Sequence, residues 1–252
     1  AMLSKREGFA FHQVDIADHA ALKAVPDVND ADAVIHLAAQ AGVRYSIENP
    51  FAYGQSNLIG HLSILELVRH APKKPRLVYA SSSSVYGANA KAPFSEDDRV
   101  DNPVSLYAAT KRSNELTSES YAKLYGMEQV GLRFFTVYGP WGRPDMAYWT
   151  FTRDIIEGRA IRVFNHGRLN RDFTWIDDIV AGVVSTVLDQ PRTANPPLHR
   201  IYNIGNNRPV ELGRFIEIVE DAVGKRAEKI MEPMQPGDVR ATYANIDALV
   251  RD

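Results

Sequence analysis

Four short apolar runs constrain this fold more than any other feature. Phe9 to Val14, Ala33 to Leu37, Arg76 to Ala80 and Gln129 to Phe135 each have strand length and are too short for a core helix. The last three are continuous rather than alternating, so a strand formed from any of these carries apolar groups on both faces. Strands of that kind belong in a parallel sheet with helices on both sides. The stretches between them supply the helices. Ser56 to His70 is apolar nearly all round, and Leu106 to Tyr125 carries Leu116, Tyr121 and Leu124 before Gly126, which suits the position just past a helix end. Alternation of strand and helix predicts an α/β, Rossmann-like doubly wound fold with right-handed crossovers.

The pattern changes after Gly139. Pro140, Gly142 and Pro144 make a loop, and Tyr148 to Glu157 reads as a helix stopped by Gly158. Ile161 to Phe164 and Ile201 to Ile204 read as strands, Asn165 to Gly167 as a turn, and Val210 to Val223 as a helix. Asp177 or Asp178 is expected to cap a helix running to Leu188, and the Pro-rich stretch 191–197 to be a loop. The expected division is 1–140 as one domain, also receiving part of 165–205, with 141–252 forming most of a smaller α/β part.

Composition narrows the function classes. Lys plus Arg number 29 against 31 Asp plus Glu, so there is no basic excess to neutralise a nucleic-acid backbone. Cysteine is absent, which removes thiolate catalysis and thiolate-bound metal, and no metal site is expected. No run approaches the ~20 apolar residues of a membrane span. The first residues lack the apolar core of a secretory signal, so a cytoplasmic, membrane-free protein is expected.

Chemistry concentrates in Tyr107-Ala-Ala-Thr-Lys111. Residues four apart share a helix face. A lysine ammonium beside a phenol favours the phenolate, which makes a proton acceptor usable near neutral pH. Ser82 stands at a strand end, where α/β sheets present ligand-binding groups, and can hydrogen-bond the same substrate hydroxyl. By itself the pair reads more readily as a packing tyrosine and a surface lysine. His36 reads as a core histidine, and Trp149 and Trp175 as packing residues.

The neighbouring segments decide between those readings. VDIAD (14–18), VIHLAAQAGV (34–43), YASSSSVYG (79–87), SLYAATK (105–111), LRFFTVYGP (132–140), RDFTWIDD (171–178) and YNIGN (202–206) run in order along nearly the whole chain. Together they resemble the extended short-chain dehydrogenase/reductase family of NAD-dependent nucleotide-sugar epimerases and dehydratases. Within it they look most similar to enzymes that epimerise UDP-glucuronate at C4. The resemblance implies that Tyr107 takes the sugar O4 proton while the C4 hydride passes to NAD, that Lys111 binds the nicotinamide ribose, and that Ser82 is the catalytic hydroxyl. It places Asp15 and Ile16 at the adenine, and Leu37, Ala38 and Ala39 along the cofactor. Ser56 and Phe135 match further cofactor contacts, and Arg171 matches an arginine on the UDP phosphates. It also implies a homodimer, in which the Ser56–His70 helix and the Tyr107 helix form a four-helix bundle with a second copy.

Related dehydratases carry Asp and Glu where Ser83 and Ser84 stand here. Without those acids, elimination lacks its base and proton donor, so the oxidised sugar is expected to turn and be reduced again as the C4 epimer. Ser83, Ser84 and Thr136 are candidates for holding a C6 carboxylate. UDP-glucose or UDP-N-acetylglucosamine is the alternative substrate. No G-x-G-x-x-G or G-x-x-G-x-x-G turn occurs in the 252 residues. In the resemblance Asp15 and VIHLAA match the third and fourth strands of the domain, so a polypeptide of these residues alone is expected to bind NAD weakly and expose apolar sheet edges. An inactive truncated fragment and a non-catalytic dinucleotide-binding protein are the alternatives of another class.

Overall fold

A computed structural model describes residues 3–89, 91–188, 197–234 and 240–252. The main sheet consists of β1 (Ala33–His36), β2 (Arg76–Ser82), β3 (Gln129–Phe134) and β7 (His199–Ile204), all parallel and in that spatial order. The continuous apolar runs account for it, because successive side chains serve opposite faces. Leu77 and Tyr79 pack on one face with Ile64, Leu65 and Val68 of α1 (Gly60–His70). Val78, Val130 and Leu132 pack on the other with Ile179 and Val183 of α4 (Ile176–Leu188). The first face is also covered by α2 (Leu106–Tyr125), which runs alongside α1 and the segment just before it through contacts of Asn57 with Thr110, His61 with Ser118 and Glu66 with Tyr121.

A second set of strands lies beyond the C-terminal end of β3. β4 (Thr136–Tyr138) and β10 (Ala241–Thr242) flank β6 (Asn170–Trp175) in parallel, and β8 (Pro209–Glu211) adds antiparallel to β6. β5 (Ile161–Phe164) pairs with β9 (Lys229–Glu232). A separate core forms here from Ile155 of α3 (Ala147–Ile156), Ile161, Val163, Leu169, and Leu212 and Ile216 of α5 (Leu212–Val223).

Four local expectations need correction. Phe9 to Val14 is irregular chain, because among the described residues no strand lies beside it to take up its backbone hydrogen bonds. The Ser56–His70 helix is not uniform: Gly54–Ile59 is a π-helical segment that leads into α1. Asp177 and Asp178 cap nothing; β6 passes straight into α4 at Ile176, so both acids sit exposed in the first turn, where the helix dipole favours them. The last long helix begins at Leu212, since Pro209–Glu211 is taken by β6 as a strand. The expected 191–197 loop lies outside the described residues except for Pro197.

Candidate active site

Two local structures create the site at the C-terminal edge of the main sheet. β2 ends at Ser82, whose Oγ accepts from the Ser84 amide at 3.2 Å and starts a 3₁₀ turn over Ser83–Tyr86. Gly87 closes that turn at φ +56°, where any Cβ would strike the Asn102 carbonyl. The turn thereby tucks against the chain leading into α2. Ser105 caps α2, its Oγ accepting from the Ala108 amide at 3.1 Å, and this puts Tyr107 in the first turn.

Tyr107 and Lys111 share the buried side of α2. The Ser82 hydroxyl lies against the Tyr107 phenol and favours its phenolate. Lys111 Nζ donates to the Ala80 carbonyl at 2.8 Å, and the lysine is 3% exposed. Burial lowers the Lys111 pKa to about 8. Burial also pushes the Tyr107 phenol above its ordinary value, opposed by the Ser82 hydrogen bond and by the Arg143 guanidinium. The lysine ammonium is engaged by a backbone carbonyl, and the Arg143 guanidinium is a further cation that favours the phenolate. His36 lies buried below, stacked on His61 at 5.4 Å, and desolvation takes it down to about 4, so it is a neutral core residue.

The predicted sugar-side residues converge. Ser83, Ser84, Thr136 and Arg171 line one cavity of about 170 Å³ with Val43, Gly87, Phe94, Val104, Ser105 and Thr242. No carboxylate is among its lining residues. Arg171 Nη1 donates to the Asn170 carbonyl at 2.9 Å. The predicted cofactor residues are more scattered. Leu37, 54% exposed, and Ala38 and Ala39 follow β1 at the open edge of the sheet. Asp15 is exposed, with Oδ1 accepting from the Ala17 amide, and Ile16 packs against Gly60 at the start of α1. Ser56 is half-buried in the π-helical segment. Phe135 is buried among Tyr86, Phe94 and Val100 beneath the site. A wider cleft of about 720 Å³, lined by Trp141, Tyr148 and Trp149 among others, contains none of the predicted residues.

Sequence reasoning missed Arg143 and Tyr53. Arg143 forms a fork on Asp145, at 3.0 and 2.6 Å, and its charge favours the Tyr107 phenolate. Tyr53 sets its ring edge-on to Tyr107 at 6.1 Å, and its hydroxyl donates to the carbonyls of Ala41 and Gly42. The charge pair between Gly142 and Ala147 was the available signal for Arg143, but a loop residue has no periodicity to aim it.

This arrangement was compared with known proteins. The sequence profile of the NAD dependent epimerase/dehydratase family matches residues 2–205. The chain belongs to that family. Among curated relatives, Protein CapI of Staphylococcus aureus is 49% identical across 98% of this chain and 77% of its own length. UDP-glucuronate 4-epimerase 3 of Arabidopsis thaliana is 46% identical across 99% of this chain and 61% of its own length. The crystal structure of UDP-glucuronic acid 4-epimerase from Bacillus cereus, in complex with UDP-glucuronic acid and NAD, superposes with a TM-score of 0.88 at 33% identity, covering 99% of this chain and 77% of that one.

Proposed function

We propose that this chain carries out C4 epimerisation of a UDP-sugar with NAD, UDP-glucuronate to UDP-galacturonate, through a 4-keto sugar. One observation carries the reading: Tyr107 and Lys111 flank the end of β2 at Ser82, and the next two residues, Ser83 and Ser84, line a cavity of hydroxyls and an arginine that is free of carboxylates. The relatives named above support the choice of sugar.

The residues present fit the nicotinamide half of the dinucleotide. The small Ala38 and Ala39 follow β1 and allow close approach of a ligand, and the buried Lys111 cation stands one helical turn after Tyr107, on the Ala80 carbonyl. A Gly-rich pyrophosphate turn is not among the 252 residues. When bound, NAD supplies the hydride acceptor and an adjacent positive charge that adds to the phenolate-favouring groups. Tyr107 holds the proton of the sugar O4 and returns it after the ring has turned. Ser82 bridges the phenol and that hydroxyl. Arg171 offers a fixed charge to the diphosphate. A 4-keto uronate is a β-keto acid that loses CO₂ when the C5–C6 bond aligns with the ketone, and Ser83, Ser84 and Thr136 hold the carboxylate out of that alignment without supplying a base.

In the same reading 1–140, joined by part of 165–205, holds the dinucleotide, and 141–252 mainly holds the nucleotide sugar. The position of β7 and α4 on the main sheet supports this. The exposed Leu58, Ile59 and Leu62 on one helix and Leu116 and Leu124 on the next support pairing with a second copy across α1 and α2. The cytoplasm is the proposed compartment.

Proton NMR of UDP-glucuronate incubated with protein and NAD tests the activity. The galacturonate H4 signal is expected to appear, and Tyr107→Phe is expected to abolish it without changing the thermal unfolding midpoint. Conversion of UDP-glucose alone would move the substrate assignment, and retained activity in Tyr107→Phe would reject the phenol as the base.

A further inference from the structure

Tyr107, Lys111 and Glu115 stand at four-residue intervals on one face of α2, and each faces one of three consecutive residues at the end of β2, two of them through hydrogen bonds. The Ser82 hydroxyl favours the Tyr107 phenolate, Lys111 Nζ bonds the Ala80 carbonyl at 2.8 Å, and Glu115 Oε1 accepts from Ser81 Oγ at 2.6 Å. We propose that Glu115 is a positioning residue for the reaction, acting through Ser81 to fix where the Ser82 hydroxyl stands against Tyr107. The proposal rests on the roles assigned above to Tyr107 and Ser82.

Glu115 is 1% exposed, and a bare carboxylate there would be very costly. It is retained charged by a fork from Arg133, at 2.8 and 2.9 Å, and by Arg112 at 3.1 Å. Burial alone would raise its pKa, but the Arg133 fork and the Ser81 and Arg112 hydrogen bonds hold it below the usual carboxylate range. Arg133 continues through the Tyr86 hydroxyl at 3.0 Å, which donates to Asn203 Oδ1 at 2.6 Å. Tyr86 ends the 3₁₀ turn that begins at Ser83. The segment carrying Ser82, Ser83 and Ser84 is therefore pinned at both ends by one buried network, at Ser81 by Glu115 and at Tyr86 by Arg133. A carboxylate serving only to neutralise Arg133 would not need a short bond to the residue preceding Ser82.

Ser81→Ala removes the rung and leaves the Arg133 fork in place; Ser81→Thr keeps a hydroxyl and serves as the conservative rescue. The decisive readout is the phenol titration of Tyr107, followed by NMR in protein labelled at the tyrosine ring Cζ and assigned with Tyr107→Phe. In Ser81→Ala the Tyr107 midpoint is expected to rise, because the Ser82 hydrogen bond to the phenolate loosens, and in Ser81→Thr to return. Turnover of the sugar should fall about tenfold in Ser81→Ala with KM within about twofold, as expected when geometry rather than binding is lost. A lower unfolding midpoint with an unmoved Tyr107 titration would show a merely structural bond and overturn the proposal. If the wild-type chain shows no epimerisation, the function fails, and the titration still decides whether Glu115 governs the Ser82–Tyr107 contact.

Discussion

Lys111 is the residue whose electrostatics the solution behaviour should betray most directly. Its folded pKa of about 8 lies below the model-peptide value of 10.5, with burial as the cause. Within that window the unfolded chain binds a proton that the folded chain has released, so this group makes stability rise with pH from about 8 to 10.5. Below the window both states are protonated and the burial cost is constant. Urea unfolding of wild type and Lys111→Met at stepped pH should show the wild type gaining on the mutant as pH rises from about 8 towards 10. A constant difference across that range would mean that the ammonium is not destabilised by its site. Tyr107, Lys111 and Ser82 were legible in the sequence because four-residue spacing and a strand end are local signals, and the segments around them carry the resemblance that gives those signals a role. Arg143 and the Glu115–Arg133 fork were not, since the partners are brought together only by the fold, 36 residues apart for Arg143 and Tyr107 and 18 for the fork.

β6 illustrates how an element is held by one side chain. Asp172 is 0% exposed and its carboxylate accepts from the amides of Asn206, Asn207 and Ala244, at 2.9, 3.0 and 3.2 Å. It ties β6 to the turn after β7 and to the approach to the C-terminal helix Asp247–Arg251. Asp172→Ala leaves three amides without that acceptor, and should cost about 2–4 kcal/mol in chemical denaturation. Asp177→Ala, in an exposed first turn, should stay within about 0.5 kcal/mol. Equal costs for the two would contradict the assignment of Asp172 as an anchor. In sequence the acids of RDFTWIDD look alike. Only the strand pairing that turns Asp172 inward separates them. The same limit explains Phe9–Val14: an apolar run reports that a segment can be a strand, whereas a strand also needs a neighbour. The runs at 33–37, 76–80 and 129–135 each lie in or over a strand whose neighbours the sheet order supplies.

Across the whole molecule, α1 and α2 lie side by side on one face of the main sheet and leave Leu62, 40% exposed, and Leu116, 55% exposed, facing outward. If these faces meet a second copy, Leu62→Lys with Leu116→Lys should turn a dimer into a monomer in sedimentation velocity, with the circular dichroism of the fold retained. A wild type that sediments as a monomer would remove the pairing. The chain also passes repeatedly between its two cores: from β3 out to β4, back through α4 and β7, out again through β8, and back to seat Ala248 and Leu249 against the main sheet. This interleaving bears on how such genes can recombine. A single crossover near codon 140 between two relatives would exchange the proposed sugar side, but would also replace β7, α4 and the C-terminal helix, whose side chains must fit Val130 and Leu132 of the other parent. New sugar specificities are thus more readily reached by substitutions at cavity positions such as Ser83, Ser84 and Thr136 than by exchange of whole segments.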